Sequence, residues 1–492
     1  MEDGRRRSVN GAAANFMLLT FVQAITMMMG IIVTKLLSAH FSLQEYGTYA
    51  QALLITNTAT SLSILGLTDA TNFFYNRTKD EKMRRVYIAT IFSIQYVAGT
   101  ACGLAIILFR ERIMGYFGNS KLEYYLLIIA FTPLLNNLIA MYQTLFVSIG
   151  KAKIIAVKNL IVSVIRLITV LLSCYLFKDI IAVTFVILAM DICQAVYFYF
   201  LFQKHKAPIK IRDANAALIK EILVFSVPMS IVILTSSLSR DIDKYVISIF
   251  ADTETLAIYT NAAKVPPFNI LTSALVTVLM PIITKMLNQK QYSGVKSVFK
   301  LYLRIEFVLT LIFVGGAIAV SENLMRLLFD EKYLVGLPVF VVYLVIDIVQ
   351  FANVTTLLSG AGKTKTLMWV SVTAMACNAC FNVLGYKLWG LIGPAAVTLI
   401  LTVFMAAALL HFGAKEVKAR VIDLFDFKEI AVVGLEIAVV GPIAYWLSRC
   451  LGSMKVHYAV NLAICYGGYV VVLGALNYRR IFACYKELNQ YK

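Results

Sequence analysis

Charged residues are scarce in this chain, and acids are scarcer than bases. Only 15% of the 492 residues are charged and 60% are hydrophobic, which leaves more apolar surface than the core of a soluble domain can bury. The 45 Lys and Arg exceed the 27 Asp and Glu. They lie in short segments between apolar runs and not on one solvated domain, which argues against a nucleic-acid partner. The composition predicts an integral membrane protein.

Motifs for catalysis, redox chemistry and nucleotide binding are also lacking. The eight cysteines have no paired spacing of the kind found in disulfide frameworks. Gly362-Lys363-Thr364 resembles the end of a phosphate-binding loop, but Leu357 stands where that loop requires glycine. We therefore expect no enzymatic activity, no metal site and no cofactor.

Fourteen apolar stretches are long enough, or nearly so, to cross the bilayer. A helix needs about 20 residues to span about 30 Å of hydrocarbon. Because these long runs lack period-two alternation, a β-barrel is excluded and the fold is predicted to be all-α. The predicted spans cover residues 12–38, 46–68, 86–109, 124–149, 154–177, 180–203, 223–250, 257–284, 301–321, 337–359, 367–386, 390–412, 429–449 and 458–476.

Basic residues are distributed unevenly between alternate loops. With fourteen spans, 29 of them fall on the side that holds both termini, 9 on the other side, including Arg449 at the very end of its span, and 7 within the spans. Positive loops face the cytoplasm in most membrane proteins. Both termini are therefore predicted to be cytoplasmic.

One membrane unit occurs twice, about 210 residues apart. Spans 1–6 and 7–12 each contain an even number of crossings, so both copies enter the membrane in the same orientation. We predict an N-terminal lobe over 1–203, a cytoplasmic connector over 204–222, a C-terminal lobe over 223–412, and two extra helices with a cytoplasmic tail over 413–492. The matching residues are Lys35, Glu45 and Tyr49 with Lys244, Glu254 and Tyr259, and segment 148–153 with segment 360–365.

Seven cations fall within the predicted spans. An ionisable residue at bilayer depth costs at least about 2.5–3.5 kcal/mol, so each one marks a functional site unless it finds a partner. Together they form a ladder of positive charge that could pass along a substrate bearing phosphate or carboxylate. The candidate substrate-binding residues are Lys35, Arg166, Arg240, Lys244 and Lys264.

Internal pairing is the alternative to a substrate role. Arg166 could pair with Asp191 on the next span, and Lys158 and Arg304 could extend to the cytoplasmic surface. The segment 240–244 is formally neutral and could pair with itself at i,i+3 spacing. The candidate ion-coupling acids are Asp191, Asp243 and Asp347, for which a partner on another helix is equally open.

Several motifs resemble the polysaccharide transporter branch of the multidrug/oligosaccharidyl-lipid/polysaccharide exporter superfamily. The likeness covers most of residues 12–412. That family often has arginine after the aspartate where this chain has Lys244, which weakens the case for bidentate phosphate binding there. The motifs are Lys35-Leu36-Leu37, Glu45-Tyr46-Gly47-Thr48-Tyr49, Leu65-Gly66-Leu67, Pro228, Asp243-Lys244, Tyr259-Thr260-Asn261-Ala262-Ala263-Lys264 and Pro281.

The resemblance implies two six-helix lobes around a cationic cavity in the bacterial cytoplasmic (inner) membrane. Its implied cargo is a lipid-(pyro)phosphate-linked oligosaccharide destined for a surface polysaccharide such as capsule or lipopolysaccharide O-antigen. The implied partners are that lipid-linked oligosaccharide, membrane lipids, and polymerase and glycosyltransferases of the same pathway. One alternative is a cation-coupled drug or small-molecule antiporter of the same fold, and another is a membrane scaffold for polymer synthesis.

Overall fold

The computed structural model describes residues 22–205, 209–266, 268 and 270–491. Within these residues all regular secondary structure is helical, as predicted, and 13 helices or helix pairs are long and apolar enough to cross a membrane. Residues 12–21 of the first predicted span lie outside the described ranges. The protein is a multi-pass membrane protein with an all-α fold.

The described residues form twenty α-helices, with short 3₁₀-helices at Ile211–Asp213, Ala216–Leu218, Glu331–Gly336 and Val421–Leu424. In chain order the α-helices are α1 Val22–His40, α2 Leu43–Ser63, α3 Leu67–Arg77, α4 Glu81–Leu108, α5 Arg110–Phe117, α6 Leu122–Ile129, α7 Thr132–Ser148, α8 Ala152–Phe177, α9 Ile180–His205, α10 Ile219–Phe250, α11 Thr253–Ala262, α12 Ile270–Asn288, α13 Tyr292–Ala319, α14 Ser321–Leu328, α15 Leu337–Val349, α16 Thr356–Gly360, α17 Thr364–Trp389, α18 Ile392–Glu416, α19 Phe427–Ser453 and α20 Tyr458–Asn489.

The second and fourth predicted spans of both copies are interrupted. The second span consists of α2 and α3, which meet at Leu65 and Gly66, two residues with φ of 47° and 66°. The fourth span consists of α6 and α7, and its counterpart consists of α15 and α16. The eighth span, predicted as one helix over 257–284, is divided between α11 and α12. Pro266 follows α11 and disfavours helical backbone at the residue before it.

The turns that follow the fourth and tenth spans have the same geometry. Gly150 has φ of 76° and Gly362 has φ of 70°, a left-handed conformation that favours glycine. The Lys151 N–H donates to the Phe146 carbonyl at 2.8 Å, and the Lys363 N–H donates to the carbonyl of the corresponding residue, Leu358, at 2.9 Å. These are the helix-ending bonds of a Schellman motif. The two copies of the repeat therefore share the backbone conformation of this turn as well as its sequence.

The helices after the first loop of each copy begin with a side-chain cap. At α2 the Glu45 N–H donates to Ser42 Oγ (3.2 Å) and the Ser42 N–H donates to Glu45 Oε2 (2.9 Å), which is a capping box. At α11 the Thr255 N–H donates to Asp252 Oδ1 at 2.7 Å. Hydrogen bonds from the side chain and backbone of Thr255 lower the pKa of Asp252. The repeated Glu45 thus has a structural role in its own copy.

The chain divides into two compact units, residues 1–257 and 258–492. In the first unit an aromatic core joins α3, α4, α7 and α9, and α10 packs against α2 and α3. The hydroxyls of Thr58 on α2 and Tyr245 on α10 lie 2.6 Å apart. The proposed lobe boundary at 204–222 stays a prediction.

In the second unit α13 is the central helix of two apolar cores. One core joins α13 to α12, α18 and α20, and the other joins it to α19 and α20. Phe299 and Tyr302 of α13 are completely buried in the first of these. The two helices that fall outside the repeat are therefore packed against the repeat and form part of this unit.

Replacing Gly66 with alanine is expected to destabilise the protein more than replacing Gly150. Both have positive φ, which costs an alanine about 1–2 kcal/mol. A Cβ at Gly66 would lie 2.2 Å from the Ser226 backbone oxygen, whereas a Cβ at Gly150 meets no atom within 4 Å. The melting temperatures of Gly66→Ala and Gly150→Ala in detergent, followed by size-exclusion chromatography, measure the difference. Equal decreases in melting temperature would contradict this expectation and show that α10 can move away from residue 66 at little cost in free energy.

Candidate functional site

Arg166 on α8 and Asp191 on α9 form an ion pair within the membrane-spanning part of the first unit. Arg166 Nη2 lies 2.6 Å from Asp191 Oδ1. Asp191 is only 5% exposed, so its charge depends on this partner. The internal pair, which the sequence left open as the alternative to a substrate role, is therefore present, and it places the guanidinium between two helices.

Arg166 nevertheless keeps donors for a ligand. Its side chain is 39% exposed. Its Nε is buried and makes no hydrogen bond to any described residue. Tyr49 of α2, one of the repeated residues, lies within electrostatic range of both Arg166 and Asp191. Because a guanidinium has five N–H donors, this arrangement can accept an anion without losing the Asp191 contact.

The charged cluster on α10 is partly paired with itself. Lys244 Nζ lies 2.5 Å from Asp241 Oδ1, at the predicted i,i+3 spacing, and donates to the Arg240 carbonyl at 3.3 Å. Asp243 is buried at 2% exposure, whereas Arg240 is exposed. Of this cluster, Arg240 is the cation most accessible to a ligand.

The remaining candidate residues lie on separate elements. Lys35 is half-buried on α1, and its carbonyl accepts a hydrogen bond from Ser38. Lys264 and Asp347 belong to the second unit, where Lys264 is exposed just after α11 and Asp347 is half-buried on α15. No described residue forms an ion pair or a hydrogen bond with the Asp347 carboxyl. The substrate-binding and ion-coupling roles of all these residues stay predictions.

A second set of membrane charges lies where α13, α19 and α20 meet. Arg304 Nη2 lies 2.8 Å from Glu429 Oε2, and Arg480 Nη1 lies 2.7 Å from Glu436 Oε1. Asn477 Nδ2 donates to Glu436 Oε2 at 2.6 Å. Arg304 thus pairs with an acid on α19. Glu429 and Arg480 were not predicted as charges within the membrane, because Glu429 is the first residue of its predicted span and Arg480 lies four residues after the end of the last predicted span.

Groups of three or more His, Cys, Asp or Glu side chains that could hold a metal ion are not found among the described residues. Four acids of the spans, Asp191, Asp241, Glu429 and Glu436, form ion pairs with Arg or Lys, whereas Asp347 forms none with a described residue. The arrangement suits the binding and release of an anion between helices.

Breaking the Arg166–Asp191 pair from the arginine side is expected to destabilise the protein strongly. Arg166→Met leaves a buried carboxylate without its cation, which costs about 3–5 kcal/mol in comparable pairs. The double variant Arg166→Met/Asp191→Asn is expected to recover most of the loss. Thermal unfolding in detergent measures both, with Arg85→Met as the control because the Arg85–Glu81 pair is exposed. A double variant no more stable than Arg166→Met would contradict the pairing.

Comparisons with known proteins agree with this architecture. The lipid II flippase MurJ in an inward closed conformation superposes with a TM-score of 0.75 at 15% identity, covering 95% of this chain and 100% of MurJ. An inward-facing multidrug resistance MATE family transporter of the MOP superfamily has a TM-score of 0.69 at 11% identity, covering 80% and 95% of the two chains. At these identities the likeness shows a shared fold.

A transporter of the same superfamily from Pyrococcus furiosus, described as having a binding pocket of reverse polarity, has a TM-score of 0.56 at 14% identity, covering 82% and 94% of the two chains. No curated protein sequence matches the chain. The family described as "Polysaccharide biosynthesis protein" matches residues 12–287, which is more than half of the chain. The chain is a member of this polysaccharide biosynthesis protein family and has the transporter fold of the MOP superfamily.

Proposed function

We propose that the protein is a flippase that carries a lipid-(pyro)phosphate-linked oligosaccharide repeat unit across the cytoplasmic membrane by alternating access, for surface polysaccharide synthesis. The observation that carries this proposal is the charge balance of the first seven predicted spans, which hold five cations and three acids. The cations are Lys35, Lys158, Arg166, Arg240 and Lys244, and the acids are Asp191, Asp241 and Asp243. A local excess of cations in these seven spans favours an anionic cargo for this part of the protein.

The contacts of Arg166 indicate how such a cargo would be bound and released. A phosphate would accept hydrogen bonds from the guanidinium donors that Asp191 does not use. Asp191 remains as the partner when the phosphate leaves, so the arginine is never left without a countercharge. Arg240, exposed on α10, supplies a second cation. The lipid tail of the cargo stays in the hydrocarbon, because only its head group needs polar contacts.

The proposed setting is the bacterial cytoplasmic membrane with both termini in the cytoplasm. Family membership supports polysaccharide synthesis as the pathway. O-antigen and capsule units are both possible cargoes of this chemistry, and the polymerase and glycosyltransferases of the pathway are the proposed partners.

Neutralising the proposed cations is expected to reduce surface polysaccharide. In a strain that lacks the chromosomal copy, Arg240→Ala, Lys244→Ala and Lys264→Ala are each tested for polymer by immunoblot. Loss of one charge-assisted hydrogen bond costs about 1.5–3 kcal/mol, which corresponds to binding of the cargo that is weaker by about tenfold or more. Lys82→Ala is the matched control, since Lys82 is exposed at the start of α4.

Membrane levels of each variant are measured by fluorescence of a C-terminal fusion. Normal polymer in all three variants at normal protein levels would contradict the cationic path. Loss of polymer with Lys82→Ala as well would mean that expression and not charge is being measured.

A cation-coupled antiporter is the second candidate function, and Asp347 is the observation that favours it. This acid is half-buried in a membrane helix and forms no ion pair with any described residue. Such a carboxyl can bind a proton or a sodium ion. The multidrug resistance transporters with the same fold agree with this alternative.

The antiporter hypothesis predicts that cells expressing the protein export a cationic dye such as ethidium and that Asp347→Asn abolishes the export. Glu111→Gln is the control, because Glu111 is an exposed acid on the short helix α5. Dye fluorescence is followed after a proton or sodium gradient is imposed. Dye export no faster than in cells with empty vector would exclude this candidate, and full export by Asp347→Asn would exclude Asp347 as the coupling acid.

A further inference from the structure

An elongated groove of about 920 Å³ runs between α8 and α9 in the first unit. Its lining extends from Lys153 to Ile165 on α8 and from Tyr197 back to Phe185 on α9. Twelve residues of helix rise about 18 Å. Val157, Ile161 and Phe185 are each about half exposed along it, so its walls are mainly hydrocarbon. The groove has the length and polarity to hold an alkyl chain.

A buried lysine lines the half of this groove that begins at Lys153. Lys158 is only 6% exposed, and it lines the groove together with the exposed Lys153. Its ammonium donates to Gln194 Oε1 at 2.5 Å and lies 4.4 Å from the centre of the Phe198 ring. Both partners are neutral, and an ammonium has three donors. Lys158 therefore keeps hydrogen-bonding capacity in a place where charge is expensive to bury.

The charges around Lys158 do not balance. Among the described residues no carboxylate lies within ion-pair distance of Lys158, and the nearby Asp191 is already paired with Arg166. The lining of the groove contains two lysines and no acid. Lys158, Arg166 and Asp191 together carry a net positive charge. An anion beside the groove would complete the pairing.

We propose that this groove binds an anionic phospholipid of the bilayer. The phosphate contacts Lys158 and Lys153, and one acyl chain follows the apolar wall towards Ile165 and Phe185. This lipid is a resident partner of the protein and is distinct from the transported cargo. Basic pockets between membrane helices on the cytoplasmic side bind anionic head groups in other proteins, and the predicted topology places both lysines on that side.

The dimensions of the groove favour a phospholipid over a polyprenyl carrier. The lining of about 18 Å matches one leaflet of a bilayer whose hydrocarbon is about 30 Å thick. An acyl chain ends within that leaflet, whereas the much longer polyprenyl chain would leave the groove. Lys153 lies at the end where the head group of such a lipid would be found, and Lys158 lies about 7.5 Å further along α8.

The proposal is tested with a photoreactive phosphatidylglycerol whose acyl chain carries a diazirine, in phosphatidylcholine nanodiscs that contain the purified protein. Labelling is expected within residues 153–165 and 185–197 by peptide mass spectrometry, and unlabelled phosphatidylglycerol is expected to compete with it. Lys158→Met is expected to reduce labelling about tenfold, while the control Lys178→Met, at the opposite end of α8, leaves it unchanged.

A second pair of variants covers the case in which Lys158→Met fails to fold. Ala189→Trp fills the groove at an exposed position, and Ala407→Trp places the same side chain at an exposed position on α18. Labelling is expected to disappear only with Ala189→Trp. Equal labelling by a phosphatidylcholine probe, or full labelling of a folded Lys158→Met, would overturn the proposal. Displacement by polyprenyl phosphate at lower concentration than by phosphatidylglycerol would also overturn it and assign the groove to the carrier lipid.

Discussion

The architecture depends on the free energy of placing a charge in hydrocarbon. Most of the acid–base pairs described in the membrane helices join neighbouring helices: Arg166 joins α8 to α9, and Arg480 joins α20 to α19, whereas Lys244 pairs with Asp241 within α10. Because a lone charge at that depth costs several kcal/mol, separating two such helices would expose both members of the pair. The pairs therefore hold helix neighbours together within each unit, where apolar packing alone discriminates poorly between lipid and protein. Lys158, with an amide and an aromatic ring as its partners, departs from this rule.

Pairing also changes how a path for an anion would work. A row of unpaired cations would bind phosphate tightly and release it slowly, whereas a cation that already has a carboxylate partner binds an anion in competition with, or in addition to, that carboxylate. Arg166 and Lys244 are of this second kind. In the proposed function their net affinity for an anion would be lower, and the return of the internal partner would assist its release. The proposed transport would require this balance between binding and release more than it would require high affinity.

Much of the fold could be predicted from hydropathy and the repeat, including the all-α class and most of the span positions. The Arg166–Asp191 pair was one of two interpretations that the sequence left open. Other features depend on contacts between helices or on local breaks that hydropathy does not reveal. Gln194 carries no charge, so the sequence does not indicate that it is the partner of Lys158. Arg480 was assigned to the tail because hydropathy falls after residue 476, although α20 continues to Asn489. The break between α2 and α3 at Leu65 could not be predicted from a proline, because none lies there. Depth along a helix can be read from sequence, but rotation about its axis and the identity of its neighbours cannot.

The matching turns at Gly150 and Gly362 bear on the history of the molecule. Both follow a divided helix, both have left-handed glycines, and both close with a hydrogen bond to the carbonyl five residues before the donor. Shared ancestry explains this agreement more simply than two independent origins would. The ancestral half then already possessed the divided fourth helix and its glycine turn before the gene was duplicated.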